Sequence, residues 1–256
     1  MTKYPIILVH GIMIRDSRII RAFGKIEKKL SEAGCTVYTA NIDAFGSIEN
    51  NAEQLKNIIL KIQEDTSCEK VNLIAHSKGG LDSKYMISSL GMAENVASLT
   101  TLCTPHKGSA VATKIWKLPM WIKKCLAFFI NTFYKLIGDK NPDSLKVCEQ
   151  LKSSDNTNGE EGLEGVYCQS YSTVLKRKKD CLIMAVPMKI CECAGEVETD
   201  GVVSEISSKF GIYRGECIEE SVSHTQIVDI LARRKHRHKI FEFYINLCRE
   251  LAEIGY

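Results

Sequence analysis

The stretch Asn72-Leu73-Ile74-Ala75-His76-Ser77-Lys78-Gly79-Gly80 sets a serine among small residues where an apolar run gives way to a helix start. A serine attacks a carbonyl only when a neighbouring base takes its proton, and a sharp strand-to-helix turn presents the hydroxyl to such a base. That turn strains the backbone, so side chains two before and two after the serine must be small. Ala75 and Gly79 meet the requirement, Ala75 standing where the usual pattern has glycine. The helix that begins at Lys78 aims its free amides at any anion forming on the serine's substrate, which makes the Lys78 N–H one oxyanion donor. Val9-His10-Gly11-Ile12, an apolar run ending in His-Gly, supplies the second candidate, the Ile12 N–H.

The base follows by elimination among six histidines. His10 and His76 lie inside the oxyanion loop and the serine turn themselves. His106, in Thr104-Pro105-His106-Lys107-Gly108-Ser109, closes a neighbouring strand and shapes the cleft, while His236 and His238 belong to a basic run. His224 remains, in the polar loop Ser221-Val222-Ser223-His224-Thr225. The acid falls between serine and base. Asp200, in Thr199-Asp200-Gly201-Val202, is the choice, although Asp-Gly by itself only makes a turn; Asp180 is the rival, at the end of a charged loop. The resulting order Ser77, Asp200, His224 is that of α/β-hydrolases.

These residues need a scaffold. Ile6 to Val9 reads as a strand buried on both faces, followed by a helical stripe through Ile19, Ile20, Phe23, Ile26 and Leu30 that stops at Gly34. Cys35 to Ala40 is the next strand, Ser47 to Asp65 the next helix, and Val71 to Ala75 the strand before Ser77. Val96 to Leu102 comes after it. Strands alternating with helices build a mostly parallel sheet covered on both faces. Later strands are read at Val166 to Val174 and Leu182 to Val186, and a last amphipathic helix from Ile240 to Leu251. Residues 153–165, rich in Ser, Asp, Asn, Glu and Gly, form an exposed loop.

Residues 109–141 break the alternation. They carry Trp116, Trp121, Phe128 and Phe129 among other apolar side chains, with lysines too frequent for a membrane-spanning helix. Two readings stand side by side, a packing insertion and a helical lid over an acyl pocket, in which those four aromatics would bind substrate.

Composition bounds the class. With 256 residues, 45% hydrophobic and 25% charged, the chain fits one soluble domain, residues 1–256. A net charge of +3 is too small to imply nucleic acid. The run from Arg233 to Lys239 reads as a solvated helix start or as a transient contact with anionic lipid. Eleven scattered cysteines cannot all pair, which favours reduced thiols and the cytoplasm, as does the lack of a signal-peptide pattern; a signal removed earlier would instead make the protein secreted. Cys191-Glu192-Cys193 and His236-Arg237-His238 lack a second pair at zinc spacing, so no metal site and no cofactor are expected. No feature of the sequence assigns an oligomeric state.

Four segments, Tyr4 to Ile12, Ala75 to Gly80, Leu99 to Ser109, and Thr199 to Ser204 with the loop to His224, resemble the bacterial triacylglycerol lipases of the Pseudomonas and Burkholderia type. The resemblance implies an α/β-hydrolase cleaving carboxylic esters, with Ser77, Asp200 and His224 as triad, Ile12 and Lys78 at the oxyanion and a lid after Ser109. It also implies a calcium site, but Gln226 and Ile230 stand where the ligands should be, so calcium is not expected there. A thioesterase, amidase or acyltransferase could use the same triad, and a non-catalytic binding protein or a membrane-surface module stands as the reading from another class.

Overall fold

The computed structural model describes residues 1–16, 21–152 and 161–256. Six strands form one sheet: β1 (Ile6–Val9), β2 (Val37–Ala40), β3 (Val71–His76), β4 (Val96–Leu102), β5 (Tyr167–Ser172) and β6 (Ile212–Glu216). Their spatial order is β2-β1-β3-β4-β5-β6, and every neighbouring pair is parallel. Alternation along the strands explains why both faces need cover. Ile6, Leu8 and Ile74 point into one core with Ile26, Leu30, Ile240 and Tyr244, whereas Ile7, Val9, Leu73 and Ala75 point into the other with Leu55, Ile59 and Met86. The first core is closed by α1 (Ile26–Glu32) and the C-terminal helix, and the second by α2 (Ile48–Thr66) and α3 (Lys78–Ser89). Each buried Leu or Ile contributes roughly 1.5–3 kcal/mol.

The helix starts follow from local chemistry. Ser47 caps α2, its hydroxyl accepting from Asn50 N at 3.2 Å. Past β4 come α4 (Ala110–Trp116), α5 (Met120–Leu136) and α6 (Ser144–Leu151), the first two within the 109–141 segment. Next are α7 (Ala185–Cys193), α8 (Glu205–Ser208) and α9 (Arg234–Glu253). Arg234 to Lys239 of the basic run open α9, with Arg233 at its N-cap and His236 buried.

Four differences from the sequence reading have physical causes. Leu182 to Val186 is not a strand: Leu182–Met184 is a 3₁₀ turn that leads into α7. Leu182, Ile183 and Val186 are exposed, while Met184 and Met188, one helical turn apart, pack on Leu175 and Cys181. The sheet's last strand is instead β6, an edge strand whose alternating exposure carries no long apolar run. The helix read from Ile19 shrinks to α1, preceded by a turn at 22–25; Ile19 and Ile20 lie outside the described residues, as does the 153–160 part of the polar loop. Finally, α6 went unread.

A parallel sheet collects the C-terminal ends of its strands on one edge, and the crevice for a ligand forms there. Here that edge gathers the loops after β1 (Gly11, Ile12), β3 (Ser77) and β4 (Cys103, Thr104).

Candidate active site

Ser77 occupies the junction between β3 and α3 with φ 56° and ψ −132°. A left-handed backbone at a non-glycine residue costs of order 1–3 kcal/mol and persists only where neighbours enforce it. The neighbours here are tight. A Cβ on Gly11 would lie 2.6 Å from the Ser77 Cβ, and one on Gly79 2.5 Å from the His10 carbonyl oxygen, so both positions exclude any side chain. Ser77 N donates to Leu102 O at 2.9 Å, and the Ser77 carbonyl accepts from Thr104 Oγ1 at 2.8 Å.

The three residues read as a triad converge. The Ser77 Oγ lies 2.9 Å from His224 Nε2, and His224 Nδ1 lies 2.6 Å from Asp200 Oδ2. All three are nearly withdrawn from water. The second Asp200 oxygen accepts from Val202 N and Val203 N, both at 2.8 Å, and the His224 amide donates to the Asp200 carbonyl at 3.0 Å. The Asp-Gly turn therefore has a second task, which is to aim a carboxylate. Asp180 is occupied elsewhere: Arg177 and Arg233 grip it, and the Arg177 hydrogen bonds first of all draw its carboxyl down to about 2.

Burial disfavours the charged form of two other histidines near the site. His76 places Nε2 2.9 Å from the His224 carbonyl, its ring 4.6 Å from that of His224, and burial pushes it well below its ordinary value. His106 stacks on Phe210 with Nε2 3.1 Å from Thr101 Oγ1; burial drives it down to about 3. The loop that carries His224 is closed by Gln226, whose Oε1 accepts from Ser223 N and whose amide donates to the carbonyls of Asp180 and Leu231.

Lys78 combines two surroundings. Its amide begins α3, while its ammonium is fully buried against Asp82 at 2.6 Å, with Asn51 Nδ2 3.1 Å from the other Asp82 oxygen. Burial lowers the lysine and raises the aspartate to about 6.

The aromatic candidates are not gathered in this way. Trp116 is half-buried with Lys123 Nζ 3.8 Å above its ring, whereas Trp121, Phe128 and Phe129 stand 73%, 66% and 65% exposed on α5. A surface cavity of about 460 Å³ lies against α9, lined by Tyr171, Glu220, Lys239 and Phe243, and includes no triad residue. Among the described residues, three potential metal donors within 4.8 Å of one another occur at Cys103, Asp200 and His224, two of which already bond to each other. The Cys191 and His236 motifs form no such group there.

Sequence reasoning missed Thr104, Asp82, and His76 as a prop of the His224 loop. Thr104-Pro105-His106 was visible as a motif, but a hydroxyl that reaches a carbonyl 27 residues away leaves no local signal.

The comparisons extend this geometry. Triacylglycerol lipase 2 of Saccharomyces cerevisiae is 27% identical over 265 aligned residues, covering 90% of this chain and 73% of the yeast protein. A triacylglycerol lipase of Burkholderia plantarii is 34% identical over 150 residues, 55% of this chain and 41% of the lipase, so the chain spans less than half of that relative's length. The resemblance to bacterial lipases is thereby borne out. The solved lipase of Staphylococcus hyicus superposes with a TM-score of 0.69 at 16% identity, covering 99% of this chain and 96% of that one, which fixes the fold as that of the α/β-hydrolases. The family model described as palmitoyl protein thioesterase matches residues 5–156, more than half of the chain. With that match lying across β1, the serine turn and the Thr-Pro-His segment, the chain belongs to the palmitoyl protein thioesterase family.

Proposed function

We propose that the chain is a serine hydrolase that cleaves carboxylic esters of acyl chains through Ser77, His224 and Asp200. One observation carries the reading: the continuous hydrogen-bonded line from Ser77 Oγ through the His224 ring to Asp200, at a backbone position strained as a nucleophile turn requires. Ser77 Oγ attacks the ester carbonyl while His224 Nε2 takes its proton, and Asp200 holds Nδ1–H and the imidazolium that forms. The amides of Ile12 and Lys78 receive the oxyanion, each donor worth about 3 kcal/mol in the transition state. His224 then protonates the leaving alcohol, leaving an acyl-enzyme, and water releases the acid by the same steps in reverse.

The 109–141 segment, with α4 and α5, serves in this reading as a lid whose apolar face contacts a lipid ester or its interface. What supports it is the row of exposed Trp121, Phe128 and Phe129 on α5. Thioesters are the second reading, favoured by the family match. The test is hydrolysis of p-nitrophenyl esters from C2 to C16 and of acyl thioesters by wild type and Ser77→Ala. Loss of turnover in the variant supports the mechanism, and the faster of the two bond types assigns the reaction. A wild type inactive on all of them, and unlabelled by a fluorophosphonate, would overturn it.

A further inference from the structure

The Ile12 amide sits in a loop without regular structure, and the residue after it, Met13, has φ 73°, a conformation that a side chain resists. Such a loop holds its shape only if something outside it does the holding. Among the described residues, Arg15 Nε donates to Asn41 Oδ1 at 3.3 Å, and two further side-chain contacts tie the loop to the far end of α5. The Tyr134 hydroxyl donates to the Met13 carbonyl at 2.7 Å, and Arg15 Nη1 donates to Asp139 Oδ1 at 2.8 Å. The Asp139 side chain is fully buried and accepts from Ala44 N at 3.0 Å and Phe45 N at 2.9 Å as well. The next two residues repeat the pattern in reverse, Lys140 N and Asn141 N donating to Asp43 at 2.9 and 2.8 Å. The Tyr134 ring packs on Phe45 at 4.5 Å. The turn at 134–141 is thus fastened to the loop after β2, and from that fixed base it reaches the loop after β1.

We propose that Tyr134 and the Arg15–Asp139 pair are positioning residues of the oxyanion hole, holding the Ile12 amide over Ser77. The inference rests on the reading of Ile12 as an oxyanion donor. Neither residue touches substrate. Both act on the Met13–Arg15 backbone, and an amide fixed at the place where negative charge develops acts in the transition state more than in the ground state. Deleting an oxyanion donor lowers kcat by 10²–10³-fold, so loosening one by a single contact should cost about tenfold.

The experiment compares wild type, Tyr134→Phe, Arg15→Lys and Asp139→Asn in kcat, KM, melting temperature and affinity for a trifluoromethyl ketone, which mimics the tetrahedral adduct. Tyr134→Phe removes one half-exposed oxygen and serves as the variant that folds. For Tyr134→Phe the expected result is a fall of about tenfold in kcat and an equal loss of ketone affinity, with KM and melting temperature unchanged. Wild-type kcat and ketone affinity in Tyr134→Phe would overturn the proposal, as would a rise in KM alone, which would assign these contacts to substrate binding. Failure of the ester-hydrolase reading is distinguishable: wild type itself would show no turnover and no fluorophosphonate labelling, and this inference would fall with it.

Discussion

At Ser77 the backbone conformation, the hydroxyl's partner and the space around it are set by different residues, and each can be tested alone. Gly11 sets the space. A methyl there would stand 2.6 Å from the Ser77 Cβ, closer than nonbonded carbons approach, so the oxyanion loop or the serine must shift. Gly11→Ala should therefore lower kcat by about 10²-fold, the size of losing an oxyanion donor, while the fold survives. Steady-state kinetics beside a thermal melt checks this, and wild-type turnover would show that the loop yields freely. Residues of this kind mark the limit of what the chain alone discloses. That Ser77, His224 and Asp200 meet in the fold was legible because small neighbours, a C-terminal polar loop and an Asp-Gly turn are local signs of such a meeting. Cys103, which shares the positive φ of Ser77 and Met13, offered no sign, since its conformation is imposed by the strand it ends and by the Tyr171 carbonyl that its amide meets.

Among the elements, the strands that lie inside the sheet and the edge strand β2 were legible, and the opposite edge was not. β1, β3 and β4 are buried on both faces, β1 as an unbroken apolar run and β3 and β4 as runs interrupted by buried polar residues such as Asn72 and Ser98, which hydrogen-bond each other. β6 pairs on one side only, so its residues need no such run, and the apolar stretch Leu182 to Val186 took its place in the reading until its exposure identified a helix start. α5 went the other way: apolar residues were expected to cover something, and many face water. If the helix serves as a lid, replacing Phe128 and Phe129 together by serine should lower turnover of C16 esters several-fold more than that of C4 esters, since each buried methylene of acyl chain is worth about 0.8 kcal/mol. Equal loss across chain lengths would count against an acyl-binding role. The loop holding His224 gives a second test. Gln226 spans it by three hydrogen bonds, and Asp229, the acid nearest in sequence, is engaged by Arg237 Nε at 2.6 Å and Lys25 N at 3.0 Å. A chelator such as EDTA should leave the melting temperature unchanged; a marked fall would mean that a cation shares the work of these side chains.

For the whole molecule, the buried histidines decide how stability responds to acid. His10, His76 and His106 are each lowered below their ordinary value near 6.5, burial being the largest cause for all three, and His106 reaches about 3. In the folded chain they take up protons less readily than in the unfolded chain. A depressed folded value gives stability that is present above the unfolded value and lost as pH falls toward the folded one. The loss thus begins near pH 6.5 and continues toward 3 for His106. For His106, which stays neutral over this range, the loss is about 1.4 kcal/mol per pH unit, hence roughly 2 kcal/mol between pH 6.5 and 5. Asp82 opposes this, because its folded value, raised to about 6, favours the folded state as pH falls through 6 toward its ordinary 3.8. Three groups outweigh one, so the melting temperature should fall from pH 7 to pH 5. His106→Gln, which keeps an amide within reach of Thr101 and removes the titrating ring, should flatten the fall by roughly 2 kcal/mol of stability between pH 6.5 and 5. Calorimetry of the two proteins across that range decides the matter. A melting temperature that holds level from pH 7 to 5 in wild type would mean that the interior admits protons to these rings.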